Sequence, residues 1–223
     1  MNWGVAVVDY CERHSAAFWA EPVNAISNLG FLVTAGAALL LWRRKGDPDY
    51  PALALIAVTV SVGMGSFIFH TVATSGAALL DVIPIAVFIY SYFLLTLRRF
   101  FGLGARVAAA MTLAFVALTF GFETTIQGFN GSAAYFPALA ALSVFWALLR
   151  FSRDKAVSPH RQAAAHGFAM AAGTFFVSLC LRTIDRASCV AFPLGTHFLW
   201  HLLNAAVIFL LLRTLICTGP RAR

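Results

Sequence analysis

The stretch GMGSFIFHTVATSGAALLD, residues 63–81, joins the end of one apolar run to the start of the next. It carries a hydroxyl at Ser66, an imidazole at His70 and a carboxylate at Asp81 among residues typical of a membrane interior. Ionisable side chains are costly to bury in lipid, so each is a functional candidate by default. The stretch therefore predicts a membrane-spanning chain with a polar site inside it.

The composition of the whole chain supports a membrane protein. Of its 223 residues, 61% are hydrophobic and only 11% are charged, whereas a soluble domain carries about 25% charged residues. A membrane-spanning helix needs about 20 apolar residues, and seven runs approach or exceed that length, near residues 23–42, 51–73, 77–97, 105–125, 133–149, 164–183 and 192–213. A transmembrane barrel would need short alternating strands instead. We predict one all-α domain, residues 1–223, in which segment 1–22 precedes seven helices over about 23–213 and a tail, 214–223, follows them.

The basic residues of this chain lie in alternate loops. Thirteen Lys and Arg fall in the loops after the first, third and fifth runs and after the seventh, against three on the other side, Arg13, Arg182 and Arg186. Cytoplasmic loops carry such an excess. The placement of these residues therefore predicts an extracytoplasmic N-terminus and a cytoplasmic C-terminus, and it accounts for the net charge of +7 without a nucleic-acid partner.

With this topology the polar residues of three helices share one depth. In HFLWH, His197 and His201 are four residues apart and lie on one helix face, level with His70, Asp81 and Ser66. Three imidazoles suit zinc and leave its fourth position open. A carboxylate can then take a proton from water, and a hydroxyl can donate to an oxyanion. Alternatively, each histidine only hydrogen-bonds a backbone carbonyl or a serine inside the bundle.

Several motifs together resemble the alkaline ceramidase family, which belongs to a wider group of seven-helix membrane hydrolases that includes the adiponectin receptors. They are DYCE (9–12), EPVNAISNL (21–29), GMGSFIFH (63–70), LLD (79–81) and HFLWH (197–201). The resemblance implies a zinc amidase that cleaves ceramide to a sphingoid base and a fatty acid. It implies that His70, His197 and His201 bind zinc, that Asp81 activates water and that Ser66 helps to stabilise the oxyanion.

The same resemblance implies a calcium ion bound by the N-terminal segment, because carboxylates and carbonyls suit calcium. The expected ligands are Asp9, Tyr10, Glu12, His14 and Glu21. The sequence departs from the family pattern, since Tyr10 replaces a tryptophan, His14 replaces an asparagine, and the run to Glu21 is shorter. A solvated acidic loop is the alternative.

The family pattern also implies a disulfide between Cys11 and Cys189. Both cysteines lie on the extracytoplasmic side of the predicted topology, where disulfides form. Cys180 and Cys217 lie elsewhere in that topology.

Other polar residues are predicted to serve packing. Asn24, Ser27 and Asn28 share one face of the first helix, as residues that hydrogen-bond between helices do. Arg182, Asp185 and Arg186 are expected to form an ion-pair cluster at a helix end.

The sequence leaves two other classes of function open. One is a receptor or transporter without enzymatic activity that uses the polar cluster for a ligand or ion, and the other is a haem protein ligated by two histidines.

The compact loops and alanine-rich composition indicate a bacterial inner membrane. No obligatory protein partner is evident, and the expected substrate is a membrane lipid.

Overall fold

The fold is a bundle of α-helices. The computed structural model describes residues 3–46, 48–126, 128–151 and 159–218. Within these ranges the helices are α1 (Pro22–Ser27), α2 (Leu29–Arg44), α3 (Tyr50–Val72), α4 (Ser75–Arg99), α5 (Ala105–Thr125), α6 (Phe136–Phe151), α7 (Pro159–Ser188) and α8 (His197–Thr218). A 3₁₀ segment, Phe129–Tyr135, precedes α6.

Seven spans of the described residues are long and apolar enough to cross a membrane, with α1 and α2 together forming the first. This confirms the predicted seven-helix fold. Each span packs against the next in chain order, and α8 returns to pack against α2. The spans therefore close into a ring, and side chains from different helices face one another inside it.

A short turn connects α3 to α4. Ala73 ends α3 in the left-handed conformation, with φ of 48°. The side chain of Thr74 then accepts a hydrogen bond from the amide of Ala77 at 3.3 Å and caps α4. Because so few residues separate the two helices, the end of α3 and the start of α4 lie at the same end of the bundle. His70 and Asp81 are thus placed at similar depth.

A buried ion pair joins the opposite ends of these helices. Both carboxylate oxygens of Asp49, at the start of α3, accept hydrogen bonds of 2.6 Å from the guanidinium of Arg99, at the end of α4. Such paired, fork-shaped hydrogen bonds are stronger than single neutral ones. The pair fixes α4 against α3 far from the polar cluster.

The N-terminal segment packs over the end of the bundle that carries the α3–α4 turn. Val7 donates its amide to the carbonyl of Ala73 at 2.9 Å, and Ser75 donates to the carbonyl of Val5 at 3.0 Å. Cys11 and Cys189 form the disulfide that the resemblance implied, with 5.1 Å between their Cα atoms. The segment is thereby fastened at two points.

We expect loss of this disulfide to destabilise the protein. It closes a loop of 178 residues, and a loop of this length gives an effect of roughly 5 kcal/mol in the chain-entropy model. Cys11→Ser should lower the thermal unfolding temperature in detergent, whereas Cys180→Ser, at an exposed free cysteine, should not. Equal unfolding temperatures in the two variants would contradict this expectation.

The last two predicted helices differ most from the structure, at both of their ends. Helix α7 spans Pro159–Ser188 and not 164–183, and α8 spans His197–Thr218 and not 192–213. Arg213 is exposed on α8 without ending it, so residues 214–218 are helical and not part of the tail. Gly195, with φ of 65°, lies in the loop that precedes α8.

Candidate metal centre and its cavity

The site begins at a tight contact between α3 and α4. A Cβ atom added to Gly65 would lie 1.9 Å from the carbonyl oxygen of Leu80, so only glycine permits this approach. The next residue on each helix belongs to the polar cluster, Ser66 on α3 and Asp81 on α4. The hydroxyl of Ser66 interacts with the carboxylate of Asp81. The glycine of the GMGS motif therefore sets the distance between two predicted catalytic groups.

The three predicted zinc ligands converge. One nitrogen each of His70, His197 and His201 lies within 4.8 Å of the other two, and all three residues are buried. Among the described residues, no other group of three or more His, Cys, Asp or Glu side chains comes together in this way. The convergence of three histidines from two helices agrees with the sequence prediction, while zinc itself remains a prediction.

His70 is oriented by a carboxylate. Its Nδ1 lies 2.6 Å from Oε2 of Glu21, and a carboxylate only accepts hydrogen bonds. Nδ1 therefore carries the proton, and the lone pair is on Nε2. That Nε2 is buried and has no hydrogen-bond partner among the described residues. Its tautomer suits a metal ligand, because such histidines usually donate their other N–H to an acceptor.

His201 is oriented by a hydroxyl in the same way. The Oγ of Ser27 donates to the carbonyl of Asn24 at 2.8 Å and lies 2.7 Å from Nδ1 of His201. Since its one proton is already donated, Ser27 accepts from Nδ1–H, which leaves the lone pair of His201 on Nε2. The sequence had assigned Ser27 to helix packing, whereas the structure places it behind a predicted zinc ligand.

His197 is positioned through its backbone. Oδ1 of Asp185 accepts hydrogen bonds from the amides of Thr196 at 2.6 Å and His197 at 2.9 Å, and so caps the start of α8. Asp185 is fully buried and does not form the predicted ion-pair cluster at the helix end. It precedes His197 by 12 residues, and no spacing rule indicated this contact.

Asp81 offers a free acceptor. Its Oδ1 is buried and has no hydrogen-bond partner among the described residues. Buried polar atoms are nearly always paired, so this oxygen is available to a water molecule or a substrate group that enters the site. Asp81 lines the same cavity as His197 and His201, so the acceptor faces the space beside the histidine cluster.

A cavity of about 410 Å³ begins at this cluster and extends along α4 and α8. Its polar end is lined by Tyr10, Ser66, Asp81, Arg182, His197 and His201. Its deeper part is lined by apolar and aromatic side chains that include Phe93, Phe145 and Leu211. Asp81 and Tyr92 both line it and are about 16 Å apart along α4, at about 1.5 Å per residue. One elongated apolar chamber thus ends at one polar cluster.

Arg182 and Tyr10 complete the polar end of the cavity. The guanidinium carbon of Arg182 lies 5.1 Å from the ring centre of Trp200, and Arg182 interacts with the Tyr10 hydroxyl. The Tyr10 ring packs 3.9 Å from that of His197. Burial raises the pKa of the Tyr10 phenol above its ordinary value, so Tyr10 is a neutral donor. The expected ion-pair role for Arg182 is wrong, because its side chain faces the cavity.

Among the described residues, no three of the carboxylate and imidazole groups predicted to bind calcium have ligand atoms within 4.8 Å of one another. Asp9 and His14 are exposed. Glu12 is buried and accepts hydrogen bonds from the amides of Val23 at 2.7 Å and Asn24 at 2.8 Å, at the start of α1. Glu21 contacts His70, Arg13 and Asn24. Burial raises the pKa of the Glu21 carboxyl, but these hydrogen bonds outweigh it and hold the pKa below its ordinary value.

The fold and the cluster define a seven-helix membrane protein with a histidine site at the head of an apolar chamber. A comparison with protein families matches residues 4–219 to the family described as Ceramidase. Because the match covers nearly the whole chain, the protein belongs to the ceramidase family, which implies a hydrolase acting on amides. No curated protein sequence matches the chain at a significant level.

The contact between Ser27 and His201 yields a testable expectation. Ser27→Ala removes the acceptor of Nδ1–H and loosens the ring, and loss of such a supporting contact typically costs about 10–100-fold in metal affinity. Competition with a zinc-binding dye should measure the change. Ser61→Ala, at an exposed helical serine that bonds only to its own helix backbone, should bind zinc like the unmodified protein. Equal affinities in the two variants would remove the role of Ser27.

Proposed function

We propose that this protein is a zinc-dependent hydrolase of the membrane that cleaves the amide bond of ceramide or a closely similar lipid amide. The observation that carries the proposal is the position of three converging histidines at the head of an apolar chamber, beside a carboxylate with a free oxygen. Membership of the ceramidase family supports the same substrate class.

The histidine cluster fits zinc. Zinc in catalytic sites is commonly held by three protein ligands with one open position. The hydrogen bonds of Glu21 and Ser27 leave the lone pairs of His70 and His201 on Nε2, as ligation requires. When bound, zinc supplies polarisation of an amide carbonyl and a lower pKa for a water molecule.

The protein's own groups then have distinct tasks. Oδ1 of Asp81 accepts a proton from the attacking water as the new carbon–oxygen bond forms, and the same proton passes to the amide nitrogen as the carbon–nitrogen bond breaks. The hydroxyl proton of Ser66 is first donated to Asp81. Once that carboxylate has taken up a proton, Ser66 donates instead to the oxygen on which negative charge develops. The products are a carboxylic acid and an amine, which for ceramide are a fatty acid and a sphingoid base.

The chamber fits the alkyl chain of a lipid. Its volume, about 410 Å³, lies within the roughly 300–1,000 Å³ of small-molecule sites. Its deep walls are apolar, so they favour hydrocarbon, while Arg182 and Tyr10 offer donors to the polar part of the substrate near the cluster. An amide placed at the histidines thus has its acyl chain in the chamber.

The asymmetry of the loops indicates the orientation. The end of the bundle with the cluster also carries the N-terminal segment and the disulfide, while the Lys and Arg residues concentrate at the other end. Both features favour an extracytoplasmic cluster. We infer a periplasm-facing active site in a bacterial inner membrane.

The length of the chamber predicts selectivity for chain length. Ala141 lines the cavity on α6, and Ala141→Phe places a ring inside it. Because steric misfit of a methylene group in an apolar pocket changes rates by about 10–200-fold, we expect at least a tenfold loss of kcat/KM for long-chain relative to short-chain lipid amides. Ala140→Phe, at the adjacent exposed position, should leave this ratio unchanged. A ratio unchanged in Ala141→Phe would place the acyl chain elsewhere.

Lipid mass spectrometry tests the proposed function directly. Purified protein in nanodiscs is incubated with a mixed lipid extract, with and without a zinc chelator. Without the chelator, we expect loss of ceramides with a matching gain of free fatty acid and sphingoid base. With the chelator, the levels of all three should stay unchanged. Retention of a lipid without its turnover would instead favour the receptor alternative.

A further inference from the structure

Arg13 is a buried cation at the back of the histidine cluster. It is only 3% exposed, and its Nε donates to Oε1 of Glu21. One terminal nitrogen donates to the backbone carbonyl of His70 at 2.9 Å, and the other donates to that of Ser15 at 3.1 Å. The guanidinium is therefore surrounded by a carboxylate and backbone carbonyls.

That oxygen set is of the kind that calcium takes in proteins, namely carboxylates together with backbone carbonyls. The predicted calcium site also relied on Glu12 and Glu21. Glu12 is engaged with the start of α1, and Glu21 already contacts a guanidinium. A calcium ion on Glu21 would lie beside a buried positive charge and would be repelled. The arrangement of these residues therefore does not fit calcium.

We propose that Arg13 is a built-in cation that holds Glu21 and His70 in place, so that this protein requires no calcium for its N-terminal segment or its metal centre. Arg13 is a positioning residue. It acts on the imidazole of His70 through Glu21, and on the backbone of His70 through its own hydrogen bond.

The two contacts explain why an arginine suits this position. A carboxylate buried to 2% exposure is costly without a compensating charge. The planar fork of a guanidinium binds several oxygens at once, whereas an ammonium group is a compact point charge. The same group therefore compensates Glu21 and fixes the end of α3, at the residue that carries the predicted metal ligand.

This inference rests on the proposed function only for the statement that His70 binds zinc. The calcium part does not depend on amidase activity, so its test uses metal content and thermal unfolding. Elemental analysis, zinc affinity by competition with a zinc-binding dye, and unfolding temperatures are measured for the unmodified protein after dialysis against calcium and after treatment with a calcium-selective chelator. The same measurements are made on Arg13→Gln, Arg13→Lys, the double variant Arg13→Gln/Glu21→Gln, and Arg186→Gln as an exposed control.

The unmodified protein should retain no calcium, and neither calcium nor the chelator should change its unfolding temperature. Arg13→Gln should unfold at a lower temperature and bind zinc about 10–100-fold more weakly, while Arg186→Gln should behave like the unmodified protein. Arg13→Lys should recover part of both losses. The double variant should unfold at a higher temperature than Arg13→Gln, because it no longer buries an unpaired carboxylate. About one calcium per chain in the unmodified protein, or unchanged zinc affinity and unfolding in Arg13→Gln, would overturn the proposal.

Discussion

Asp81→Asn should retain zinc and lose most of its turnover. The amide fills the space of the carboxylate and still forms hydrogen bonds, but it does not accept the proton of the attacking water. General-base groups contribute about 10²–10⁴-fold to rates, and Oδ1 of Asp81 is the free buried acceptor beside the cluster. Turnover of a long-chain lipid amide and zinc content are to be measured on the same preparation.

Glu123→Gln is the matched control, because it makes the same chemical change at an exposed position on α5. It should keep full turnover and zinc. Full turnover in Asp81→Asn would exclude the carboxylate as the base. Loss of zinc in that variant would make Asp81 a ligand or a support of the ligands.

Gly65→Ala should abolish turnover by separating two helices. Its Cβ would lie 1.9 Å from the carbonyl oxygen of Leu80, where ordinary contact begins at 3.4 Å, and the obstacle is backbone. Helices α3 and α4 must therefore move apart, which displaces Ser66 and His70 from Asp81. A displacement of about 1 Å can cost about 10²-fold in rate, so we expect a loss at least that large, together with a lower unfolding temperature.

Gly36→Ala is the control for this change. Gly36 is also within a helix, but a Cβ there would meet nothing within 4 Å. Since alanine favours helices by about 1 kcal/mol over glycine, Gly36→Ala should be neutral or stabilising. A fully active Gly65→Ala protein would show that the close contact of α3 and α4 is not needed for the site.

The sequence predicted the fold and the convergence of three histidines because their signals are local or periodic. Apolar runs marked the helices, and the spacing of His197 and His201 placed both on one face. The loop charges predicted the topology, and that topology places His70 and Asp81 at the same depth as His197 and His201. Helix ends were predicted less well, because an exposed arginine such as Arg213 does not stop a helix.

The supporting contacts were missed because they join residues that are distant in sequence. Glu21 and His70 are 49 residues apart, and Ser27 and His201 are 174 apart. No spacing rule connects such pairs. Arg182 was assigned to a helix end, since nothing local shows that its side chain turns into the cavity. Nothing in the sequence around Arg13 indicated that it is buried behind the histidine cluster, because a basic residue in a polar segment is usually exposed.

The most direct test of the account is a zinc titration of metal-stripped protein with ceramide turnover followed at each addition. Stripped protein should be inactive, and turnover should rise with added zinc until about one ion is bound per chain, as three ligands and one open position require. His201→Ala should stay inactive at the same zinc concentrations. Ceramide turnover by the stripped protein, or none after one zinc per chain has bound, would contradict the account.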